Sequence, residues 1–456
     1  MRPFGGGIRI MGIAGKLAYS SGSITASIPQ YAIQTYIWFY YITVIHMDPV
    51  WMAFATSIWT VWNAFNDPIF GYISDRTITR WGRRVPWIAV FAFPLAISMF
   101  FVFGPPGDAS TYGNFNLFIW LTLALLFYDT CYTIVVLNWT ALFPEMFQTN
   151  RERSQMSLMR QVFSIFGLIA GTAIPPLLAT TMGWSGVGLA VGLVSAIFAF
   201  LSLAGSHERP EFREPTLPVF KAMKHTFSNR SFIIFVSYNF LVQYIVAVAL
   251  GALPFFVKYV VGGSDWDQTV LFLVLFIVAM PVFAVWNHIN VARGPRTSAI
   301  ATLLWVGVTL IAILFISDFT QALIVIGIAA AGVGGFMMLP DILIAFTIDA
   351  DELKTGVRRE GAYFGFNAFV MRFAVLAQSW TYALLLNSSG FDENLVVQPP
   401  SAILAIRLLL SAVPLAAALV GAAIISRYPF HGQALKDIER QTDEMHAQKR
   451  GEAPKA

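Results

Sequence analysis

Asn66-Asp67-Pro68-Ile69-Phe70-Gly71-Tyr72-Ile73-Ser74-Asp75-Arg76-Thr77 leads into Arg80-Trp81-Gly82-Arg83-Arg84-Val85-Pro86-Trp87, and this stretch decides the fold. An amide and an acid sit inside an apolar run. A short turn crowded with arginines follows, and then another apolar run begins. Water-soluble domains rarely bracket a basic turn in this way. A membrane-spanning chain does, because basic turns stay on the cytoplasmic side while an acid inside the bilayer is retained for function.

The rest of the chain agrees. It is 57% hydrophobic and only 12% charged, against about 25% charged in ordinary soluble domains. Apolar runs of about 20 residues, the length that crosses a bilayer, recur from end to end. Their spacing predicts an all-α membrane protein of twelve transmembrane helices. The first six fall at about 17–45, 51–74, 87–104, 116–147, 157–180 and 186–205; the second six at about 231–261, 268–290, 299–316, 320–348, 361–387 and 402–426. This gives an N-terminal six-helix bundle over 1–205, a cytoplasmic linker over 206–230, a C-terminal six-helix bundle over 231–426 and a charged cytoplasmic tail over 427–456 that is expected to fray. The linker predicts a short amphipathic helix near 217–227. The N-terminal segment is basic and Gly-rich without the pattern of a cleavable signal, so the first span is expected to act as the targeting element.

Orientation follows from the basic residues. Arg76, Arg80, Arg83, Arg84, Arg151, Arg153, Arg293, Arg296, Lys354, Arg358 and Arg359 all fall in turns after even-numbered spans, whereas Lys258 is the main exception after an odd one. Both termini are therefore expected in the cytoplasm, with the chain in the plasma (inner) membrane. The net charge of +4 is small and its arginines are dispersed among short turns, which argues against nucleic-acid binding. The single cysteine, Cys131, rules out an intrachain disulfide and a cysteine metal cluster. No nucleophile elbow, phosphate loop or paired-histidine zinc motif is present, so neither an enzyme nor a cofactor or metal site is expected.

The halves echo each other. Asp67-Pro68 and its basic turn in span 2 are matched by Pro281, His288 and the turn Arg293-Gly294-Pro295-Arg296 after span 8. Pro144-Glu145 at the end of span 4 is matched by Pro340-Asp341 in span 10. Two similar six-span halves suggest a major facilitator superfamily fold with its binding site between the halves.

Three motifs sharpen this. The Asn66–Trp87 stretch resembles the span 2–3 signature of the glycoside–pentoside–hexuronide:cation symporters. Asp349-Ala350-Asp351-Glu352-Leu353-Lys354-Thr355-Gly356-Val357-Arg358-Arg359-Glu360-Gly361, followed by Phe364-Gly365-Phe366, is a second match. Tyr132-Thr133 through Ala141-Leu142 to Arg151-Glu152-Arg153 is a third. The resemblance implies alternating access and cation-coupled uptake of a sugar or glycoside. In that family a cation site draws on two acids one turn apart on span 2 and a hydroxyl on span 4. Here Asp67 takes the second acid's place, Asn63 the first, and Asn66 matches. The acid that contacts sugar on span 1 falls near Ser27, and the one on span 4 near Val135 or Val136. Arg160 and Arg372 match basic residues on spans 5 and 11, and Asp129 stands where an asparagine is usual.

Read on their own chemistry, these polar residues point the same way. A carboxylate at Asp67 is costly by several kcal/mol unless neutralised or paired. Asn63, four residues earlier, shares its helix face. One carboxylate and one amide offer less charge than a two-acid site, so a proton is expected ahead of sodium. The alternative is that Asp67 pairs with a basic residue to fix a closed state. Asp129 has two open roles: it holds a substrate hydroxyl or a second coupling proton, or it pairs with Arg160 or Arg372. Those two arginines either hold an anionic substrate, such as a uronic or sulfonated sugar, or form interhelical ion pairs. Tyr132, Thr133, Trp139, Trp380, Gln34 and Gln378 are further candidates for substrate contact. Asp75, Arg76, Arg83, Arg84, Glu145, Arg153 and Asp341 are expected to form a cytoplasmic gate of ion pairs. The expected partners are a small-molecule substrate and membrane lipid, with the protein acting as a monomer. Two rival readings remain open: a lysolipid or other amphiphile transporter of the same fold, and a non-transporting membrane sensor.

Overall fold

The computed structural model describes residues 12–77, 79–147, 150–208, 229–356, 359–392, 395 and 397–449. The expected linker helix near 217–227 and the turn residue Arg358 lie outside them, as do the side chains of Arg151 and Ser154. Among the described residues the fold is helical throughout, with one isolated bridge between Thr79 and Gly82 in the basic turn. The helices are α1 (Ile13–Thr43), α2 (Pro49–Arg76), α3 (Val85–Phe103), α4 (Asn114–Met146), α5 (Asn150–Ala173), α6 (Pro175–Ala204), α7 (Arg230–Phe256), α8 (Asp265–Arg293), α9 (Pro295–Leu310), α10 (Phe319–Thr355), α11 (Glu360–Ser388), α12 (Pro400–Leu410), α13 (Ala412–Ile425) and α14 (Gln433–Lys449). Ten of the spans are long and apolar enough to cross a membrane by composition, with α12 and α13 counted together as one. The other two, α1 and α2, have 31 and 28 residues. They are the polar pair, because they carry the serines, threonines, glutamines and asparagines of the candidate site.

Local chemistry sets the ends and bends. Prolines lie inside α1, α2, α3, α4, α7, α8 and α10. Each removes one backbone hydrogen bond and relaxes the helix around it. Gly356 ends α10 in the left-handed region at φ 72°, where glycine alone carries no Cβ penalty. Close helix contacts depend on small residues. A Cβ on Gly192 of α6 would lie against the carbonyl of Ala96 in α3, and one on Gly171 of α5 would meet the carbonyl of Ile28 in α1.

Contacts divide the chain into two compact units. One comprises residues 1–33, 61–106 and 119–214; the other comprises 34–60, 107–118 and 215–456. The second unit thus takes in the end of α1 and the start of α2. There Trp38 meets Tyr382 edge to face at 5.2 Å, Phe39 meets Phe255 at 5.4 Å, and Phe54 meets Trp380 at 5.4 Å.

Part of the tail expected to fray is a docked helix. Residues 433–449 form α14, which packs on α10. Leu435, Ile438, Thr442 and Met445 recur at helical spacing, and Thr442 is buried. Tyr428, fully buried just before it, donates to the carbonyl of Leu343 at 2.7 Å and lies 2.9 Å from the Thr347 hydroxyl.

Candidate functional site

The site grows from two helix faces in the first unit. On α2, Asn63, Asn66 and Asp67 fall at i, i+3 and i+4, so they share one face. Pro68 follows directly and frees the helix of one backbone bond at that level. On α4, Asp129 and Thr133 are one turn apart. The structure brings the two faces together as two rungs. In the first rung, the amide nitrogens of Asn63 and Asn66 donate to the two carboxylate oxygens of Asp129, the latter bond being 2.8 Å; Asn66 also reaches the Asp129 carbonyl at 2.9 Å. In the second, the Thr133 hydroxyl donates to Asp67 at 3.0 Å. Trp62 braces the pair by donating to Thr130 at 3.1 Å.

Burial shows what this arrangement is for. Asp129 is 1% exposed and Asn66 is 0% exposed. A carboxylate taken out of water is expensive unless its charge is met, and each hydrogen bond to a charged group returns about 1.5–3 kcal/mol. Two amide donors meet the two oxygens of Asp129. The Asn66 amide oxygen is left buried with no partner. Rotation of an asparagine amide about its last bond exchanges N–H for oxygen. Asn63 and Asn66 can thus present donors to a bare carboxylate or oxygens to a bound cation. Two carboxylates, two amide oxygens and one hydroxyl make an all-oxygen donor set of the kind alkali and hard cations take.

The other expected contacts are placed differently. Trp139 is 3% exposed and bolted to Tyr19. Its indole donates to the Tyr19 carbonyl at 3.0 Å, the Tyr19 hydroxyl donates to the Trp139 carbonyl at 3.1 Å, and their rings stack at 5.4 Å. Gly22 makes this possible, since a Cβ there would overlap the indole. Trp139 in turn carries the guanidinium of Arg160, 4.4 Å from its ring, with Phe143 on another side at 5.0 Å. Arg160 makes no ion pair among the described residues, so the salt-bridge reading of Arg160 with Asp129 is not what the structure forms. Tyr132 spends its hydroxyl on the Ala26 carbonyl at 2.9 Å and on Gln30 at 3.0 Å. In the second unit, Gln378 is 2% exposed and lies against Tyr382 and Gly251; its place is a packing one. Trp380 donates to the Ser57 hydroxyl at 3.1 Å and seals α11 onto the start of α2. Gln34 and half-buried Arg372 belong to the second unit as well.

Comparison with known proteins then decides the family. The profile of the family described as MFS/sugar transport protein matches residues 18–432. The chain belongs to that family. It is similar to the isoprimeverose transporter of Lactiplantibacillus pentosus, at 23% identity over 83% of this chain and 81% of the relative. It is also similar to the sodium-dependent lysophosphatidylcholine symporter 1 of Gallus gallus, at 23% identity over 95% of this chain and 91% of the relative. The crystal structure of a D-xylose-proton symporter shares the fold, with a TM-score of 0.65 and 14% identity over 90% of this chain and 96% of that one. The expected all-α major facilitator fold and the resemblance to the glycoside–pentoside–hexuronide:cation symporters both hold.

In this multi-pass MFS protein the basic turn after α2 is tied down more tightly than its sequence suggests. Arg83 pairs with Glu145, and Arg84 pairs with Asp75 at 3.1 Å and with Glu145 at 3.4 Å. The missing member of the network is Glu208. Its carboxylate accepts the backbone N–H groups of Arg83, Arg84 and Val85 at 2.7, 2.8 and 2.9 Å. These are orphan donors at the start of α3, where a helix N-terminus favours an anion. Arg84 at that position provides no side-chain cap of its own. The only sequence signal for Glu208 was an acid just past span 6 on the side where the turns are basic. Three expected gate residues fall outside the network. Arg76 is exposed and stacks on Tyr72 at 3.9 Å. Arg153 donates to the carbonyl of Phe147 at 2.8 Å rather than to an acid. Asp341 forms no ion pair among the described residues; it stands about four turns before the end of α10, too deep in the helix to join a gate at its mouth.

Proposed function

We propose that the chain is a cation-coupled symporter that moves a sugar or glycoside inward across the plasma (inner) membrane by alternating access, with both termini cytoplasmic. The observation that carries this reading is the Asp129 rung. A 1%-exposed carboxylate that accepts from the amides of two asparagines, one turn from the Asp67–Thr133 contact, is costly for any purely structural role. A non-transporting sensor gains nothing from that burden.

The coupling ion follows from the donor set. From α2 alone, one carboxylate and one amide favour a proton. With Asp129 facing them from α4 there are two carboxylates, and the oxygen donors exceed what a proton needs. This favours sodium. Binding of sodium and substrate together would shift the population between outward-open and inward-open states, since each has to prefer the same state for their fluxes to be linked.

A lysolipid is the second reading. It is supported by the match to the lysophosphatidylcholine symporter and by the residues at the positions of the family's sugar-binding acids. Ser27 is hydrogen bonded to Ser164 at 2.8 Å, and Val135 is buried. Uptake of labelled glycosides and of lysophosphatidylcholine into proteoliposomes, under separate sodium and proton gradients, tests both readings. Sodium-driven accumulation of a glycoside is expected. Accumulation of the lysolipid alone, or gradient-independent flux of every solute, would overturn the proposal.

A further inference from the structure

The basic turn after α2 splits its arginines between two tasks. Arg83 pairs with Glu145, and Arg84 with Asp75 and Glu145. Arg76 and Arg80 are exposed and pair with no acid among the described residues. Each lies over an aromatic ring instead: Arg76 is 3.9 Å from the centre of Tyr72, and Arg80 is 5.1 Å from that of Trp81. Both rings face outward, at 55% and 61% exposed. The tip that carries Trp81 is held rigid. The Gly82 N–H donates to the Thr79 carbonyl at 3.2 Å. The Thr79 hydroxyl donates to the Gly82 carbonyl at 2.6 Å and accepts from the Trp81 N–H at 3.1 Å.

The approach to this tip along α2 is apolar. Exposed Phe65, Ile69, Tyr72 and Arg76 recur at i, i+4, i+7 and i+11. Helical geometry gathers them into one stripe on the far side of α2 from Asn63, Asn66 and Asp67. Two apolar side chains, an amphipathic ring and then a cation follow one another towards the turn. A membrane lipid runs through the same order, from acyl chain through the interface to the phosphate, and tyrosine and tryptophan settle at that interface.

The charges choose the head group. A guanidinium lying on a ring keeps its N–H edge free, and that edge fits two phosphate oxygens at once. The acids of the turn are already engaged: Asp75 and Glu145 by arginines, and Glu208 by backbone N–H groups. The outward face thus offers donors and positive charge. A choline or ethanolamine ammonium would meet two like charges there and no free carboxylate. A glycerol head group keeps the phosphate and its net negative charge, and needs no acid.

We infer that Tyr72, Arg76, Arg80 and Trp81 hold the head group of an anionic phospholipid that lacks an ammonium, with an acyl chain lying along Phe65 and Ile69. The inference goes beyond the symporter reading and holds whichever solute is carried. Lipid on the outer side of the turn adds to what Glu208 provides on the inner side, so binding stabilises the fold.

The test uses the full chain in a non-ionic detergent, titrated separately with phosphatidylglycerol, phosphatidylcholine and inorganic phosphate. Native mass spectrometry counts bound lipid. Reaction of a thiol dye with buried Cys131 on heating reports stabilisation. Phosphatidylglycerol is expected to bind more tightly than phosphatidylcholine and to raise the melting temperature, and inorganic phosphate to leave it unchanged. The pair Arg76→Gln with Arg80→Gln should bind phosphatidylglycerol about tenfold more weakly and phosphatidylcholine as before. The pair Arg76→Lys with Arg80→Lys keeps the charge, loses the flat fork and should recover only part of the loss. Both positions are exposed, so these proteins should melt together when no lipid is added. Should the glutamine pair melt lower, the lysine pair and Trp81→Leu, which removes the ring under Arg80, carry the comparison by mass spectrometry, again with weaker phosphatidylglycerol binding expected. Unchanged phosphatidylglycerol affinity in the glutamine pair would overturn the site. Full recovery by lysine would reduce it to diffuse attraction and overturn it too. Equal binding of phosphatidylcholine, or stabilisation by inorganic phosphate that displaces the lipid, would also contradict it, the latter by revealing a free-anion site.

Discussion

Glu208→Ala removes one carboxylate and leaves three backbone donors at the start of α3 without their acceptor. The loss can be sized. Replacing a single-bond N-cap residue by alanine costs about 0.5–2 kcal/mol, and the favourable placement of an anion at a helix N-terminus adds about 0.3–1 kcal/mol. Glu208 makes three such bonds, at 2.7–2.9 Å, but water can reach the vacated groups because the turn is at the surface. A net loss of about 2 kcal/mol follows, near the top of the N-cap range. In a domain of 150–250 residues each 1 kcal/mol shifts the melting temperature by about 2–4 °C, so a fall of about 4–8 °C is expected. Cys131 is the only cysteine and is buried, which gives the protein a built-in reporter. A dye that fluoresces on reaction with thiols registers unfolding at this one position as purified protein is heated. Glu208→Gln keeps one acceptor oxygen and loses the charge, so it should fall between the two. A melting curve for Glu208→Ala that superimposes on that of the unaltered protein would refute the capping role, as would a Glu208→Gln variant less stable than the alanine one.

Other changes test neighbouring parts of the structure. Gly82→Ala should destabilise the same turn by at least as much, because Gly82 sits at φ 110° and an added Cβ would overlap the Glu208 carboxylate; the same thiol melt measures it. Truncation after Phe430 removes α14, uncovers α10 beside Tyr428 and should lower the melting temperature by several degrees, whereas a frayed tail would be silent. Trp380→Phe keeps an aromatic ring at that position and loses the bond to Ser57, worth about 1 kcal/mol. In a Cys131→Ser, Phe54→Cys background, a membrane-impermeant maleimide should therefore label the Trp380→Phe protein about fivefold faster. Equal labelling rates would show that Trp380 does not seal that segment.

The architecture was legible in the sequence because bilayer physics leaves few alternatives: apolar runs must be helices, and arginine-rich turns must stay on one side. Asp67, Asn63 and Asn66 were legible as a face, since i, i+3 and i+4 spacing fixes it within one helix. The partner of that face was not. Asp129 lies far along the chain, and nothing in the residue types says whether it turns toward α2 or toward Arg160. Glu208 was harder still, because its partners are backbone N–H groups, which leave no mark on the sequence. α14 was hidden by its charges, although Leu435, Ile438, Thr442 and Met445 carry the helical spacing that betrays a docked face.

The most direct measurement compares solute accumulation in proteoliposomes that contain the unaltered protein or Asp129→Asn. An inward sodium gradient is imposed, and counterflow without any gradient is measured in parallel. The donor set around Asp129 predicts that the variant loses uphill accumulation and retains counterflow, because an amide can stand among Asn63 and Asn66 but cannot supply the charge that binds the ion. Sodium-driven accumulation by Asp129→Asn equal to that of the unaltered protein would contradict the assignment.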